Sequence, residues 1–575
     1  MKPLPSAHRP PTTVELFTPK LVTALREGYD LSIFRADFIA GLTVAIVALP
    51  LSMAIAIASH VTPDRGLFTA IVGGFIISAF GGSRYQIGGP AGAFIILVAA
   101  VVDKAGVDGL LLATMMAGAM IFMIGALRLG TYIKYVPHPV TVGFTAGIAV
   151  VIFASQIKDL LGLTLPGTEP GALVPKLEAL WGVLPTVNLA AVEIAFLSIA
   201  IILFLRKWRP HWPGFLIAVT AAALAAYLLH LPVETIHARF GGLPRSLPAP
   251  ALPPMSFEKA RALLPDAMAF ALLGSIESLL SAVVADSMTG RRHRSNCELV
   301  AQGLANIASA IFGGIVATGT IARTATNVRA GARTPVSGML HSLFVLLFML
   351  VAAPLAGFIP LAALAGILAV VSWNMAERAE FRQLLTATRG DAAVLLVTFL
   401  LTIFAGLTEA IVVGVTLGCL LFMHRMAEAI EVQTHHGGLV EDDVADGSNG
   451  TRKAYSEAYA TDPDIIIHRI SGAFFFGAAG AVSSIIERIS EEPKAFILDM
   501  SQVPFVDYSA AHSLRGFFRK AARLGARVYL TGASKSVRRD LIRFGIKKPL
   551  VHYGHSIEDC VRAVRGGLEI AAHDD

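Results

Sequence analysis

The chain has 575 residues, of which 55% are hydrophobic and only 15% charged; with a mean hydropathy of +0.66 it lies far from the roughly 25% charge of soluble domains, which excludes a water-soluble enzyme from end to end. At about 20 apolar residues per crossing there is room for about a dozen spans and one soluble domain. The net charge of +6 fits basic cytoplasmic loops better than a nucleic-acid surface, and Cys297, Cys419 and Cys560 are too far apart for a metal-ligand or redox motif.

Residues 1–36 are polar and rich in Pro and Thr, lack an apolar core with a cleavage site, and read as a cytoplasmic arm with no signal peptide to remove. A transmembrane domain is expected over 37–430. Stretches long and apolar enough to span run over Phe38–Ile57, Leu110–Ala126, Val140–Leu161, Ala190–Leu205, Phe215–Leu229, Ala267–Val284, Ser337–Ala353, Ala392–Phe404 and Ile411–Met423. Two further pairs are short and broken. Gly66–Phe80 ends in Gly81–Gly82 and precedes Pro90–Val102; Glu298–Phe312 ends in Gly313–Gly314 and precedes Thr318–Val328. Glycine-interrupted pairs at matching positions of two halves mark an inverted-repeat transporter whose substrate lies between half-helices; the blander reading, two tight loops, does not account for the matching positions.

Loop charges agree with a count of fourteen segments, half-helices included, starting from a cytoplasmic N terminus. The inward loops then carry Arg84, Arg128 and Lys134, Arg206 to Arg209, Arg291 to Arg294, Arg329 and Arg333, and Arg378 to Arg389, while the outer loops are poorer in basic residues. Both termini fall in the cytoplasm. Residues 431–463 form a polar, Gly- and Asp-rich linker. From 464 to 575 strand patterns at Ile465–Ile470, Ala495–Met500 and Ala526–Gly532 alternate with helical ones at Ser483–Ile489, Ala510–Leu524 and Ser536–Phe544, an α/β domain.

Polar residues inside the spans narrow the chemistry. Most acids sit at span ends, but Glu277 lies about ten residues into its span, and an intramembrane carboxylate is a functional hypothesis by default. Gly274, Glu277, Ser278 and Ser281 share one helical stripe. A carboxyl in such a groove can take up and release a proton during transport; the alternative is a structural hydrogen bond to a neighbouring helix. The second broken helix starts Thr318-Gly319-Thr320 with Arg323 one turn on, and the first starts Gly89-Pro90-Ala91-Gly92-Ala93-Phe94. Helix N termini present free N–H groups and about half a positive charge, so two of them together favour an anion. Arg323 adds a full charge there, unless it reaches the cytoplasmic surface or pairs with an acid. Gln156 can face the same cavity or tie two helices; His60, His138 and His341 receive no role. No nucleotide loop, Ser/His/Asp set or metal cluster emerges, so neither an enzyme nor an ATP-driven pump is expected, nor a resident cofactor.

The run PDRGLFTAIVGGFIISAFGGSRYQIGGPAGAF (Pro63–Phe94) and the run from Leu272, LLGSIESLLSAVVADSMTG, followed by ELVAQGLANIASAIFGGIVATGTIARTATNVRAG, resemble the SulP anion permeases, relatives of the solute-carrier-26 transporters, and most nearly their proton-coupled bacterial branch of DauA-like C4-dicarboxylate transporters. The resemblance runs from about Asp37 through the C-terminal domain. It implies a fourteen-segment, seven-plus-seven inverted repeat of core and gate domains, a homodimer, and a cytoplasmic STAS domain open to protein partners, in a bacterial inner membrane. It implies substrate contacts at Ala91, Ala93, Phe94, Gly319, Thr320 and Ile321 with Arg323 as the basic residue, to which the helical stripe adds Ser281, and Glu277 as the coupling carboxylate, glutamate being the proton-coupled form and aspartate the sodium-coupled one. Where many members carry Pro-Gln and a nearby Tyr, this chain has Pro50-Leu51-Ser52-Met53-Ala54-Ile55, a departure at the sulfate-type contacts. Leu498–Leu514 resembles the anti-sigma-antagonist core, with Ser509 at the phosphorylated position or acting as a helix cap.

The expected function is therefore secondary transport of a small anion, a dicarboxylate, bicarbonate or sulfate, by proton symport. Sodium-coupled bicarbonate transport, nucleobase transport on the same architecture, and a non-transporting sensor are the alternatives.

Overall fold

The computed structural model describes residues 12–133, 137–167, 169–170, 172–209, 212–429, 431–436, 464–476 and 493–566. The chain divides into two compact units, 1–416 and 417–575. Eight helices among the described residues are long and apolar enough to cross a bilayer.

After two short helices at Thr13–Phe17 and Lys20–Arg26, the first long helix of the membrane unit is α1 (Leu31–Ala58), whose first turn is capped by the Asp30 carboxylate accepting from Ile33 N at 2.8 Å. Then comes α2, made of Pro63–Phe68 and Gly74–Phe80 joined by a π-helical turn at Thr69–Gly73. A two-residue strand β1 (Gly88–Gly89), a 3-10 turn (Gly92–Phe94) and α3 (Ile95–Ala126) follow. Helix α3 is broken at Gly106 (φ 68°, ψ −173°), a conformation that suits glycine, so it counts as two segments. Next are α4 (His138–Leu161), α5 (Leu189–Trp208), α6 (Gly214–Leu228) and α7 (Phe257–Thr289). The second broken pair is α8 (Ser295–Ile311), β2 (Thr318–Gly319) and α9 (Ile321–Arg329). The unit continues through α10 (Val336–Ala356), α11 (Leu361–Met375), the polar α12 (Arg378–Ala387), α13 (Arg389–Phe404) and the first part of α14 (Leu407–Glu428), the division between the units falling within that helix.

These helices pack as two groups. In one, α3 lies against α7 and α8, α1 against α10, and α9 against α1 and α7; in the other, α4 packs on α11 and α13, and α5 on α6 and α11. The groups meet where α6 and α11 lie on α1. Polar locks hold the first group at the end where α2 finishes. Glu298, fully buried, accepts from Gly82 N (2.8 Å) and Ser83 N (3.0 Å) and from Gln302 Nε2 (3.0 Å), which fixes the turn after α2.

The broken helices fall where the sequence places them, with one omission elsewhere. Helix α11 has no counterpart among the expected spans, although its run from Leu361 is apolar and follows Pro360. Unlike a lipid-facing span, α11 is buried along most of its length between the two groups.

The second unit holds a five-stranded sheet in the order β3 (Glu431–His436), β4 (Ile465–Ser471), β5 (Ala495–Gln502), β6 (Arg527–Thr531) and β7 (His552–Tyr553). Strand β3 pairs antiparallel with β4 and the rest are parallel. Alternation sorts the two faces: Ile466, Leu498 and Leu530 pack with α15 (Tyr508–Arg523) and α16 (Lys535–Arg543), while Ile467, Ile497 and Tyr529 pack with α17 (Ile557–Gly566). Strand β3 lies in the stretch expected to be linker. Its Val432 and Thr434 alternate with polar residues and run into His435 and His436, so composition hides a strand that its pairing with β4 reveals. The helix expected at Ser483–Ile489 lies outside the described residues, as do Lys134 and residues 437–463.

Candidate functional site

The two interruptions meet. Gly88 stands opposite Gly319 and Gly89 opposite Thr318 in an antiparallel pairing, continued by Thr320 N donating to Ile87 O (3.0 Å) and Ile87 N donating to Thr324 Oγ1 (3.1 Å). Backbone freed by each broken helix is thus satisfied by the other. The crossing leaves little room beyond glycine: a Cβ at Gly319 would meet the Gln86 side chain, which would have to shift, and one at Gly88 the side chain of Ile77. Helix α7 is tied to this crossing through hydroxyls. Ser278 Oγ lies 2.7 Å from Thr318 Oγ1, Gly319 N donates to Ser278 Oγ (3.3 Å), and Ser281 Oγ donates to Thr324 Oγ1 (3.0 Å).

Beside the crossing is a cavity of about 320 Å³. Both helix starts form part of its wall, through Ala91, Gly92 and Ala93 on one side and Thr320, Ile321, Ala322 and Arg323 on the other. Neither start is closed by its N-cap side chain: Ala91 has no polar atom, and the Thr320 hydroxyl donates instead to Ile87 O at 3.2 Å. The first N–H groups of both helices therefore remain available to a ligand. Glu277 of α7 also lines the cavity, and its Oε2 is buried with no hydrogen-bond partner.

Arg323 is only 1% exposed. Its Nη2 donates to Ser52 Oγ (3.1 Å) and to Pro90 O (3.3 Å), while Nε and Nη1 have no partner. It neither reaches the surface nor pairs with an acid among the described residues. A buried guanidinium left partly unsatisfied is costly, and here it stands on a cavity wall next to two helix starts. The arrangement can hold an anion and keep a titratable carboxyl, that of Glu277, beside it.

Of the residues expected at the site, Glu277, Ala91, Ala93, Thr320, Ile321 and Arg323 line this cavity; Phe94, Ser281 and Gly319 do not. Phe94 is buried against Phe270, ring centroids 6.0 Å apart, and Ser281 is taken up by Thr324. Gly319 belongs to the strand crossing behind the wall. Gln156 lies off the cavity, with its Nε2 donating to Ser155 Oγ at 2.8 Å. His60 and His138 pair with Asp103 (2.9 Å) and Glu380 (3.4 Å). Leu51 and Ile55, from the stretch that departs from the family pattern, are wall residues, and Ser52 holds Arg323. Sequence reasoning missed the opposite wall: Thr141, Phe144 and Thr145 of α4, Val371, Asn374 and Met375 of α11, and Glu377. Only the run LAALAGILAVVSWNM could have pointed there, by its length. In the second unit the cap of α15 is Asp507, accepting from Ala510 N at 2.8 Å; Ser509 is exposed in the first turn and is not the cap.

Residues 34–398 match the sulfate permease family and residues 458–559 the STAS domain family. The chain is 40% identical over 522 residues to "Putative sulfate transporter YvdB" of Bacillus subtilis, covering 90% of this chain and 95% of that one. It is 30% identical over 537 residues to the bicarbonate transporter BicA of Picosynechococcus, covering 89% and 91%. Among solved structures, the murine solute carrier 26 member A9 anion transporter in its inward-facing state matches with a TM-score of 0.84 at 19% identity over 98% of this chain and 96% of that one. The transmembrane domain of a cyanobacterial BicA matches with a TM-score of 0.60 at 30% identity, over 68% and 98%. The first of these structures establishes the fold. The sequence relatives carry the names of a sulfate and a bicarbonate transporter, and the likeness shows the family as a whole.

Proposed function

The chain belongs to the sulfate permease family, an integral membrane anion transporter with a C-terminal STAS domain and not an enzyme, and on that premise we propose that it carries a small anion together with a proton by alternating access. The anion sits between the starts of α3 and α9, against Ala91, Ala93, Thr320, Ile321 and Arg323. Glu277 carries the proton. Phe94, Ser281 and Gly319 shape the wall from behind. The observation that carries this reading is a single cavity bordered by two uncapped helix starts, a buried guanidinium and an unpartnered carboxyl. Protonating Glu277 removes the one negative charge that competes with the anion on its own side of the cavity, so both cross together.

Sulfate and bicarbonate, for which the relatives are named, and the C4 dicarboxylates to which the motifs point are the substrates to test; the cavity is roomy enough for each. The 30% identity to bicarbonate transporters supports a second reading, bicarbonate uptake driven by sodium. We further place the protein in the bacterial cytoplasmic membrane as a homodimer, both termini inside, with the STAS domain meeting a cytoplasmic partner under the control of phosphate on Ser509. The test is uptake of the three anions into proteoliposomes under separately imposed pH and sodium gradients. Proton-driven uptake by the wild type that Glu277→Gln abolishes, with the protein still folded, is the expected result. Uptake that ignores the pH gradient and follows sodium would replace the proton reading with the second one.

A further inference from the structure

The cavity wall holds a second carboxylate, on the opposite side from Glu277. Glu377 lies in the two-residue link between α11 and α12, and borders the same cavity as Arg323. Its backbone is left-handed (φ 38°, ψ 47°), where residues other than glycine are seldom found. The side chain is exposed and enters no hydrogen bond or ion pair among the described residues. The charged groups near it each have another partner. His138 of α4 is 3.4 Å from Glu380 of α12; the Arg378 guanidinium lies 3.8 Å over the Trp373 ring; Arg206 of α5 donates to Asn374 Oδ1 at 2.7 Å. Partial burial and the neighbouring Glu380 raise the Glu377 carboxyl above its ordinary pKa while His138 opposes them; in its ionised form the carboxylate sets a negative charge against a cavity otherwise arranged for an anion.

We propose that Glu377 is a specificity-determining residue that weakens anion binding in this conformation and so promotes release at this mouth of the cavity. The inference rests on the reading that the anion sits at the starts of α3 and α9. Arg323 and Glu277 belong to the helix group that carries those starts, and Glu377 to the group of α4 and α11. A displacement of one group against the other changes the distance from Glu377 to the anion and leaves that from Arg323 unaltered. The repulsion therefore acts in one state of the cycle and fades in the other. At a separation on the order of 10 Å and an effective dielectric constant of about 20–40, the charge alters affinity by about four- to fifteenfold for a monovalent anion and, the energy doubling, by about 15- to 250-fold for a divalent one.

The test titrates sulfate, bicarbonate and succinate into the purified full-length protein, as wild type, Glu377→Gln, Glu377→Asp and Glu377→Gly, and follows efflux from proteoliposomes. The expected result is that Gln and Gly tighten binding equally, by about four- to fifteenfold for bicarbonate and by about 15- to 250-fold for the divalent sulfate and succinate, with slower release, while Asp retains wild-type affinity. Glycine also relieves the backbone, so a purely structural role would separate Gly from Gln and group Asp with Gln. That pattern, or wild-type affinity in Gln, overturns the proposal. If the wild type binds none of the three anions, the transporter reading itself fails; binding by the wild type with unchanged variants refutes Glu377 alone.

Discussion

Replacing Arg323 with Gln removes the only full positive charge among the described cavity-lining residues, and its effects on binding and on stability should have opposite signs. An anion about 5 Å from the guanidinium, at an effective dielectric constant of about 20–40, gains about 1.5–3 kcal/mol, so its loss weakens binding roughly 10- to 150-fold. The helix starts retain about half a charge each, which leaves measurable residual affinity. Stability should not suffer. Two of the three guanidinium nitrogens have no partner at 1% exposure, and removing an unbalanced buried charge relieves a desolvation penalty of several kcal/mol. A Gln amide can still donate to Ser52 Oγ or Pro90 O. Calorimetric titration with the transported anion, together with thermal unfolding of the same samples, reads both quantities. The wild type should gain about 2.7 kcal/mol from anion at a hundred times its Kd, and the variant, at that same concentration, far less. A folded variant with affinity within twofold of wild type would refute the assignment. A steep drop in Tm would recast Arg323 as a structural tie between α9 and α1.

Two further outcomes follow from buried groups elsewhere. Glu298→Ala leaves two backbone N–H groups and the Gln302 amide without their acceptor; at about 1–3 kcal/mol for each unsatisfied group it should lower the unfolding temperature by several degrees, and unchanged thermal unfolding would contradict the role of that turn. Burial pushes the Cys560 thiol up to about 12, so the folded protein holds it protonated at neutral pH. A thiol-specific reagent at about pH 7.5 should leave Cys560 unmodified until the chain unfolds, and because the unfolded thiol releases its proton first, the stability this burial contributes is full below about pH 9 and declines above it. Rapid native-state modification, read by mass spectrometry, would count against this burial.

The site was legible where chemistry repeats at fixed spacing. Phe-Gly-Gly followed by a short helix, twice, located the two interruptions, though not the pairing of β1 with β2 between them, and a lone acid in an apolar stripe pointed to Glu277. What the chain order conceals is direction. Phe94, Ser281 and Gly319 sit within a few residues of true wall positions, yet a helical step of one residue turns a side chain by about 100°, which sends Phe94 to Phe270 and Ser281 to Thr324. The wall made by α4 and α11 escaped for another reason. An acid at a span end looks the same in sequence whether it faces bulk water or a cavity, and only the packing of α11 between the two helix groups decides for Glu377. Strand β3 was hidden likewise, because an edge strand needs only a partner, and the partner lies beyond 437–463.

The pairing of Gly88 with Gly319 and of Gly89 with Thr318 also bears on biosynthesis. Its two sides are roughly 230 residues apart, a span that makes this contact late in any folding order. At about 5–20 residues per second, a ribosome needs on the order of 10–45 s to deliver the second side. Until then the first peptide groups have no mate inside the bilayer, so nascent chains halted before Thr318 should be open to quality-control proteases at the loop that follows α2.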